Sequence, residues 1–244
     1  MPTEYGTSAE VRIRIGGPAG AGIKAAGQTL ARSFVAAGLN TFDLTEYPSL
    51  IKGGHNTYHL RISPDQLYSH VTPTDVLVAL DRATVDLHLA EFTEGGAIVY
   101  DPAAVDAGDL AATAGHCPVP VPLAEIVKTA GGAPVMRNVA ALGAVLGHLD
   151  FPLAYLVDSL RAQFAHKAPE VAEQNAAIAT AAYEHAQQAH CAFPVRLAPV
   201  DGAPERVLAE GVPTYADGLP QLAGGPIWRH AAAPRDVSDL MRRL

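Results

Sequence analysis

Apolar residues recur along this chain with two periods, and the change from one to the other marks its organising stretch. Val11-Arg12-Ile13-Arg14-Ile15 alternates apolar and charged residues, the period of a strand. Ile23, Ala26, Leu30 and Phe34 then recur at helical spacing, with Gly38 as the stop. Between the two lie Gly16, Gly17, Gly20 and Gly22, so the pattern predicts strand, glycine turn, helix. Residues 41–44 read as a second strand. Pro48, Gly53 and Gly54 make 46–56 a loop, and 56–62 resumes as a strand. Residues 66–71 read as a further short strand. The run 75–80 is apolar after its first residue, as in a strand buried on both faces of a parallel sheet. A helix is expected over 84–92, with Val85, His88 and Leu89 on one face. Gly95-Gly96 break it before a buried strand at 97–100.

From Pro122 the pattern turns helical. Helices are expected over 123–130, 138–149, 152–164 and the alanine-rich 170–190. Asn138 is placed as an N-cap and Pro152 suits a first turn. Strands alternating with helices predict an α/β fold: a Rossmann- or flavodoxin-like, mostly parallel sheet with helices on both faces. After Phe193 prolines and glycines recur, and no regular structure is expected before a short helix at 237–244. The expected division is an α/β unit over 1–192 and an extended C-terminal arm over 193–244. Trp228, the only tryptophan, lies in that arm. It is either an anchor on a partner or folded back on its own domain.

Composition narrows the function. Apolar residues make up 49% and aromatic residues only 6%, so the core is aliphatic. The net charge is −8 with no basic block, so neither nucleic acid nor an anionic membrane is an expected partner. No apolar run reaches the roughly 20 residues of a membrane span. The N-terminus has neither a basic region nor an apolar core, and a cytoplasmic location is expected. Cys117 and Cys191 are the only cysteines, no CxxC occurs, and no zinc finger or iron–sulfur cluster can be housed by this chain alone. Both are expected as reduced thiols.

The glycine turn bears on chemistry because bare backbone N–H groups and a helix N-terminus together seat an anion, usually phosphate. Its order, GGxxGxG, is neither the GxGxxG of dinucleotide folds nor a P-loop, and a tight connection is the other reading. Lys52 beside Gly53-Gly54 would set an ammonium over exposed N–H groups; the alternative is a solvated lysine. Lys24 is a weaker candidate. His55 and His59 lack a third ligand at fixed spacing, and Ser49 lacks a GxSxG context, so neither a metal site nor a catalytic set is expected.

Four stretches in order, GGPAGAGIKAAGQTLA, EYPSLIKGGHNTYHLRIS, DVLVALD and MRNVAALGAVLG, resemble the gamma domain of 2-oxoacid:ferredoxin oxidoreductases over about residues 11–191. The resemblance is nearest to the gamma portion of the 2-oxoglutarate type. It implies an enzyme that decarboxylates a 2-oxoacid on thiamine diphosphate, passes electrons through [4Fe-4S] clusters to ferredoxin, and transfers the acyl group to coenzyme A. It further implies that this chain contributes to coenzyme A binding through Gly17, Gly20, Ala21, Gly22, Lys52, Gly53, Gly54 and Asn138. Ala21 stands where some members carry a hydroxyl residue. No alpha-type sequence follows residue 191, so thiamine diphosphate, Mg2+ and the clusters are expected in alpha-type and beta-type partner subunits, and no cofactor is expected on this chain alone. The rival expectations are a purely structural subunit of that complex and an independent nucleotide-binding protein.

Overall fold

A computed structural model describes residues 10–47, 54–106, 110, 115–188, 195–201, 213–216 and 219–222. The organising stretch folds as its periodicity predicts, with strand β1 at Val11–Pro18 and helix α1 at Ile23–Ala36. Then come β2 (Asn40–Glu46), β3 (His55–Ser63), β4 (Thr74–Ala79), α2 (Arg82–His88), β5 (Phe92–Tyr100) and β6 (Cys117–Pro120). The helical half contains α3 (Leu123–Thr129), α4 (Arg137–His148), α5 (Ala154–Phe164) and α6 (Pro169–Ala186).

Six strands form one sheet in the order β2-β3-β1-β4-β5-β6. β1, β4, β5 and β6 run parallel, while β3 is antiparallel to both β1 and β2. The expected α/β fold is therefore present, with one reversed strand inserted. Ile13, Ile15, Val76, Val78, Ala97 and Val99 point to the face that packs on α1 and the helical half. Ala79, Val85, Ile98 and Tyr100 form a smaller core on the other face, beneath α2. Helix α4 is buried on nearly every side, from Val139 to His148, which its almost unbroken apolar sequence requires. It approaches α6 backbone to backbone: a Cβ added at Gly143 would sit 2.0 Å from the Ala179 carbonyl oxygen.

Several local expectations are corrected. Residues 66–71 form no strand; they are held to β3 through polar groups, with the Ser69 carbonyl accepting from Arg61 and the His70 ring bonded to His59. β5 begins at Phe92, so Gly95-Gly96 do not end a helix there. Gly95 has φ 76° and a Cβ on Gly96 would meet the Asp75 carbonyl at 2.9 Å. The glycines accommodate a register shift against β4. α2 stops at His88, and a single 3-10 turn, Leu89–Glu91, leads into β5. β6 was not expected at all, because Pro118 and Pro120 cannot donate to a ladder; they are tolerated since β6 is the sheet's edge. Two strands, β7 (Pro213–Ala216) and β8 (Leu219–Leu222), pair antiparallel where the arm was expected to be irregular. The Asp217-Gly218 dipeptide between them was the available signal.

Cys117 is disulfide-bonded rather than a free thiol. Cysteine spacing in sequence does not report on spatial distance, and pairing needs only two Cα atoms about 4.4–6.8 Å apart. Cys191, the chain's other cysteine, lies outside the described residues, as do residues 237–244. The first described residues beyond 193 lie on the α/β unit: Leu197 is buried, and the Val200 amide donates to the Ala37 carbonyl at 2.8 Å.

Candidate functional site

The chain leaves β1 toward one edge of the sheet and leaves β4 toward the other, with α1 and α2 on opposite faces. Such a reversal opens a crevice beyond the carboxyl ends of the two strands. A cavity of about 280 Å³ lies there. Pro18, Gly20 and Ala21 of the turn form one wall; Leu80 after β4 and Asp101 after β5 form the floor. Leu123 of α3 and Pro134, Val135, Arg137 and Asn138 close it.

The glycines of the turn do different work. Gly17 is a packing position, since a Cβ there would meet Ile23 at 3.0 Å and Leu80 at 3.2 Å. Gly20 and Gly22 have φ of 87° and 75°, the left-handed region where a side chain is strained. Gly22 is the N-cap of α1 and offers no side chain, and the first turn carries no acidic residue. Among the described residues no side chain caps the leading N–H groups of α1, and the positive end of the helix dipole faces the turn. Ala21 lines the cavity; its carbonyl accepts from Asn138 Nδ2 at 3.1 Å.

That bond corrects the reading of Asn138 as an N-cap. Met136 occupies the cap, Asn138 is the second residue of α4, and its side chain reaches back to the turn. A Cβ on Gly22 would come within 2.8 Å of the same Nδ2. Asn138 thus locks the helical half to the turn at the point where only glycine fits.

Arg137, which sequence reasoning passed over, is the cation among the described wall residues; its Nε donates to the Pro134 carbonyl at 3.2 Å. The signal was its position beside Asn138 in the MRN segment. Asp101 is the acid among the described wall residues, and its carboxylate is already engaged by the Ala103 and Ala124 amides at 2.9 and 2.8 Å. Lys24 is exposed on α1 and does not line the cavity. Lys52 and Gly53 lie outside the described residues, as does Trp228. Gly54 is placed against the turn, its carbonyl accepting from the Ala19 amide at 2.9 Å. The loop after β2 thus ends beside the glycine turn as expected, but because β3 runs back from it antiparallel to β1. Among the described residues no group of three His, Cys, Asp or Glu side chains could hold a metal ion, and no helix is long and apolar enough to cross a membrane. The described wall thus combines bare backbone of the glycine turn with the Arg137 guanidinium, at the point where the turn leads into α1.

Known proteins carry the same architecture. The gamma subunit of a keto/oxoacid ferredoxin oxidoreductase from Geobacter sulfurreducens superposes with a TM-score of 0.61 at 22% identity, covering 74% of this chain and 98% of that one. A 2-oxoglutarate:ferredoxin oxidoreductase from Magnetococcus marinus, with 2-oxoglutarate, coenzyme A and succinyl-CoA bound, superposes with a TM-score of 0.75 at 26% identity. It covers 81% of this chain and 34% of that one. The alpha subunit of 2-oxoacid:ferredoxin oxidoreductase 2 from Aeropyrum pernix is 33% identical over 198 residues, 65% of this chain and 31% of the relative. The chain thus spans about a third of the length of that relative. The family model for pyruvate ferredoxin/flavodoxin oxidoreductase matches residues 12–185, from β1 to the end of α6, and the chain belongs to that family.

Proposed function

We propose that this chain is a gamma-type subunit of a 2-oxoacid:ferredoxin oxidoreductase, of the 2-oxoglutarate type, and that it holds coenzyme A for a thiamine-diphosphate centre on its partners. The observation that carries the reading is the cavity lined by Gly20, Ala21, Arg137 and Asn138, where the glycine turn leads into α1. About 280 Å³ accommodates part of a coenzyme A molecule. Its anionic end would be met by Arg137, by the first-turn amides of α1, and by Lys52 with Gly53 and Gly54 from the adjoining loop. Gly17 and Gly22 keep the backbone close, and Asn138 fixes the turn that the ligand touches.

The rest of the reaction would lie with alpha-type and beta-type subunits and ferredoxin, in the cytoplasm. The chain spans about a third of the length of the Aeropyrum pernix relative, and this reading assigns the rest of the reaction to partner subunits. A [4Fe-4S] cluster takes four thiolates; this chain has two cysteines and one is disulfide-bonded. The clusters, thiamine diphosphate and Mg2+ would therefore be partners' groups. Residues 1–192 would form the ligand-holding unit, and the arm over 193–244 would engage a partner with Trp228 as its anchor.

Recovery of the tagged chain from its native cells, with mass spectrometry of what accompanies it, tests the assembly. Partners with thiamine-diphosphate and iron–sulfur signatures are expected; a chain recovered alone would sink the reading. Calorimetric titration of the recovered assembly with coenzyme A tests the ligand. Asn138→Ala is expected to weaken binding by roughly tenfold, the worth of one hydrogen bond that fixes the turn, with the assembly intact. Removing residues 223–244 is expected to release a partner on size-exclusion chromatography.

A further inference from the structure

Arg14 lies in β1 on the sheet face away from the main core and is only 2% exposed. Four histidines surround it. Its Nη1 is 2.7 Å from His88 Nδ1, and a second contact of the same guanidinium runs to Glu91. His88 Nε2 is 3.2 Å from His55 Nε2. His55 Nδ1 is buried, has no hydrogen-bond partner among the described residues, and lies 3.9 Å from Asp81. On the other side of Arg14, His70 Nε2 lies 3.1 Å from His59 Nδ1, and His59 Nε2 lies 2.8 Å from a Glu46 oxygen.

Donor chemistry gives these contacts a direction. A guanidinium only donates, so His88 Nδ1 accepts and carries no proton. A neutral imidazole has a single N–H, which His88 must then hold on Nε2. It donates to His55 Nε2, leaving the proton of His55 on Nδ1, aimed at Asp81. Burial and the Arg14 charge keep His88 neutral, with its pKa pushed down to about 4; burial also lowers those of His55, His59 and His70. Among the described residues the charged groups facing the imidazoles are Arg14, Glu46, Glu91, Asp81 and, on His70, Arg61. Glu46 is held as a carboxylate, so the second chain reads His70 to His59 to Glu46 by the same logic.

We propose that Arg14, His88 and His55 form a one-way hydrogen-bond relay whose purpose is to position Gly54, and through it the glycine turn. His55 opens β3 and follows directly on Gly54, whose carbonyl holds the Ala19 amide. His55 also lies across from Pro18 in the ladder, and its ring fills the space beside Gly16, where a Cβ would stand 3.0 Å from its Cε1. A ring fixed in one tautomer and one orientation fixes the first residue of β3 against the end of β1. The second relay anchors Glu46 at the end of β2 from the same buried face. Arg14, His88 and His55 are positioning residues, since none lines the cavity.

The test reads tautomers in the full chain. Long-range proton–nitrogen NMR on 15N-histidine-labelled protein at pH 7.5, assigned with a His55→Gln variant, is expected to show His88 protonated on Nε2. His55 is expected protonated on Nδ1, the minority form of free imidazole. His55 protonated on Nε2 would overturn the relay. In His88→Phe the donor is gone, and His55 is expected to revert to the Nε2–H form. His88→Gln, whose carbonyl can accept from Arg14 while its amide donates, is expected to restore Nδ1–H. A His55 tautomer unmoved by His88→Phe would overturn the proposal without any ligand. The ligand readout rests on the coenzyme A reading: His88→Phe is expected to weaken coenzyme A binding roughly three- to tenfold, with His88→Gln near wild type. Equal affinity in both variants would overturn the positioning role. No binding by wild type would instead overturn the coenzyme A reading and leave the tautomers to judge the relay.

Discussion

Gly143→Ala should destabilise the chain by about 3 kcal/mol, against the usual sign of that substitution. In an ordinary helix interior, alanine is preferred to glycine by about 1 kcal/mol. Here the new methyl would sit 2.0 Å from the Ala179 carbonyl oxygen and 2.8 Å from its carbon. Both are backbone atoms of α6, so no rotamer relieves the clash and the helices must part. One turn on, a Cβ added at Gly147 would meet the Tyr183 carbonyl oxygen at 2.3 Å, so the two positions share one seam. The effect reaches the site, because Asn138 lies at the start of α4 and reaches the turn through its side chain. Urea unfolding gives the measurement. A midpoint unchanged or raised in Gly143→Ala would mean that α4 and α6 are not in backbone contact.

Acidification should cost as much. A histidine whose folded pKa is depressed contributes stability that is fully present above its unfolded value and is lost as pH falls toward its folded value. His88 ordinarily titrates near 6.5 and is pushed down to about 4 by burial and then by Arg14. The unfolded chain therefore binds a proton that the folded chain refuses over that interval. About 2 kcal/mol should be gone at pH 5 and about 3 kcal/mol by pH 4, from this one ring. His55, His59 and His70 are lowered in the same direction, and each adds to the loss below its ordinary value. Urea midpoints at pH 7.5, 6 and 5 measure the slope, and His88→Gln should flatten it by about one proton. A stability independent of pH across that range would show that the histidines are solvated in the folded state.

The candidate site was legible in part. The glycine turn could be found because its signal is local: a period-2 run, four glycines and a period-3.6 run within 24 residues of chain, 11–34. The helical half was found for the same reason, to within a few residues at each end. β6 was missed because its prolines are acceptable only at a sheet edge. The role of Asn138 was half read: residue type and position indicated a cap, while its side chain bonds a carbonyl 117 residues away. Arg137 was passed over because nothing local says that it lines a cavity.

Arg14 makes the same point most sharply. Its alternation with Ile13 and Ile15 told which residues share a face, since backbone geometry alone sets that period. It could not tell that the polar face would be covered, or that four histidines from β3, the segment after it and α2 would meet there. By itself the sequence determined most of the elements, their amphipathic faces and the strand–turn–helix stretch, because each depends on residues within a few turns of one another. Only the tertiary structure decided that β3 is inserted antiparallel, that Asn138 closes the turn, and that a buried guanidinium orients the imidazoles behind it. Those outcomes depend on which distant segments the chain path brings into contact, and no local period encodes that path.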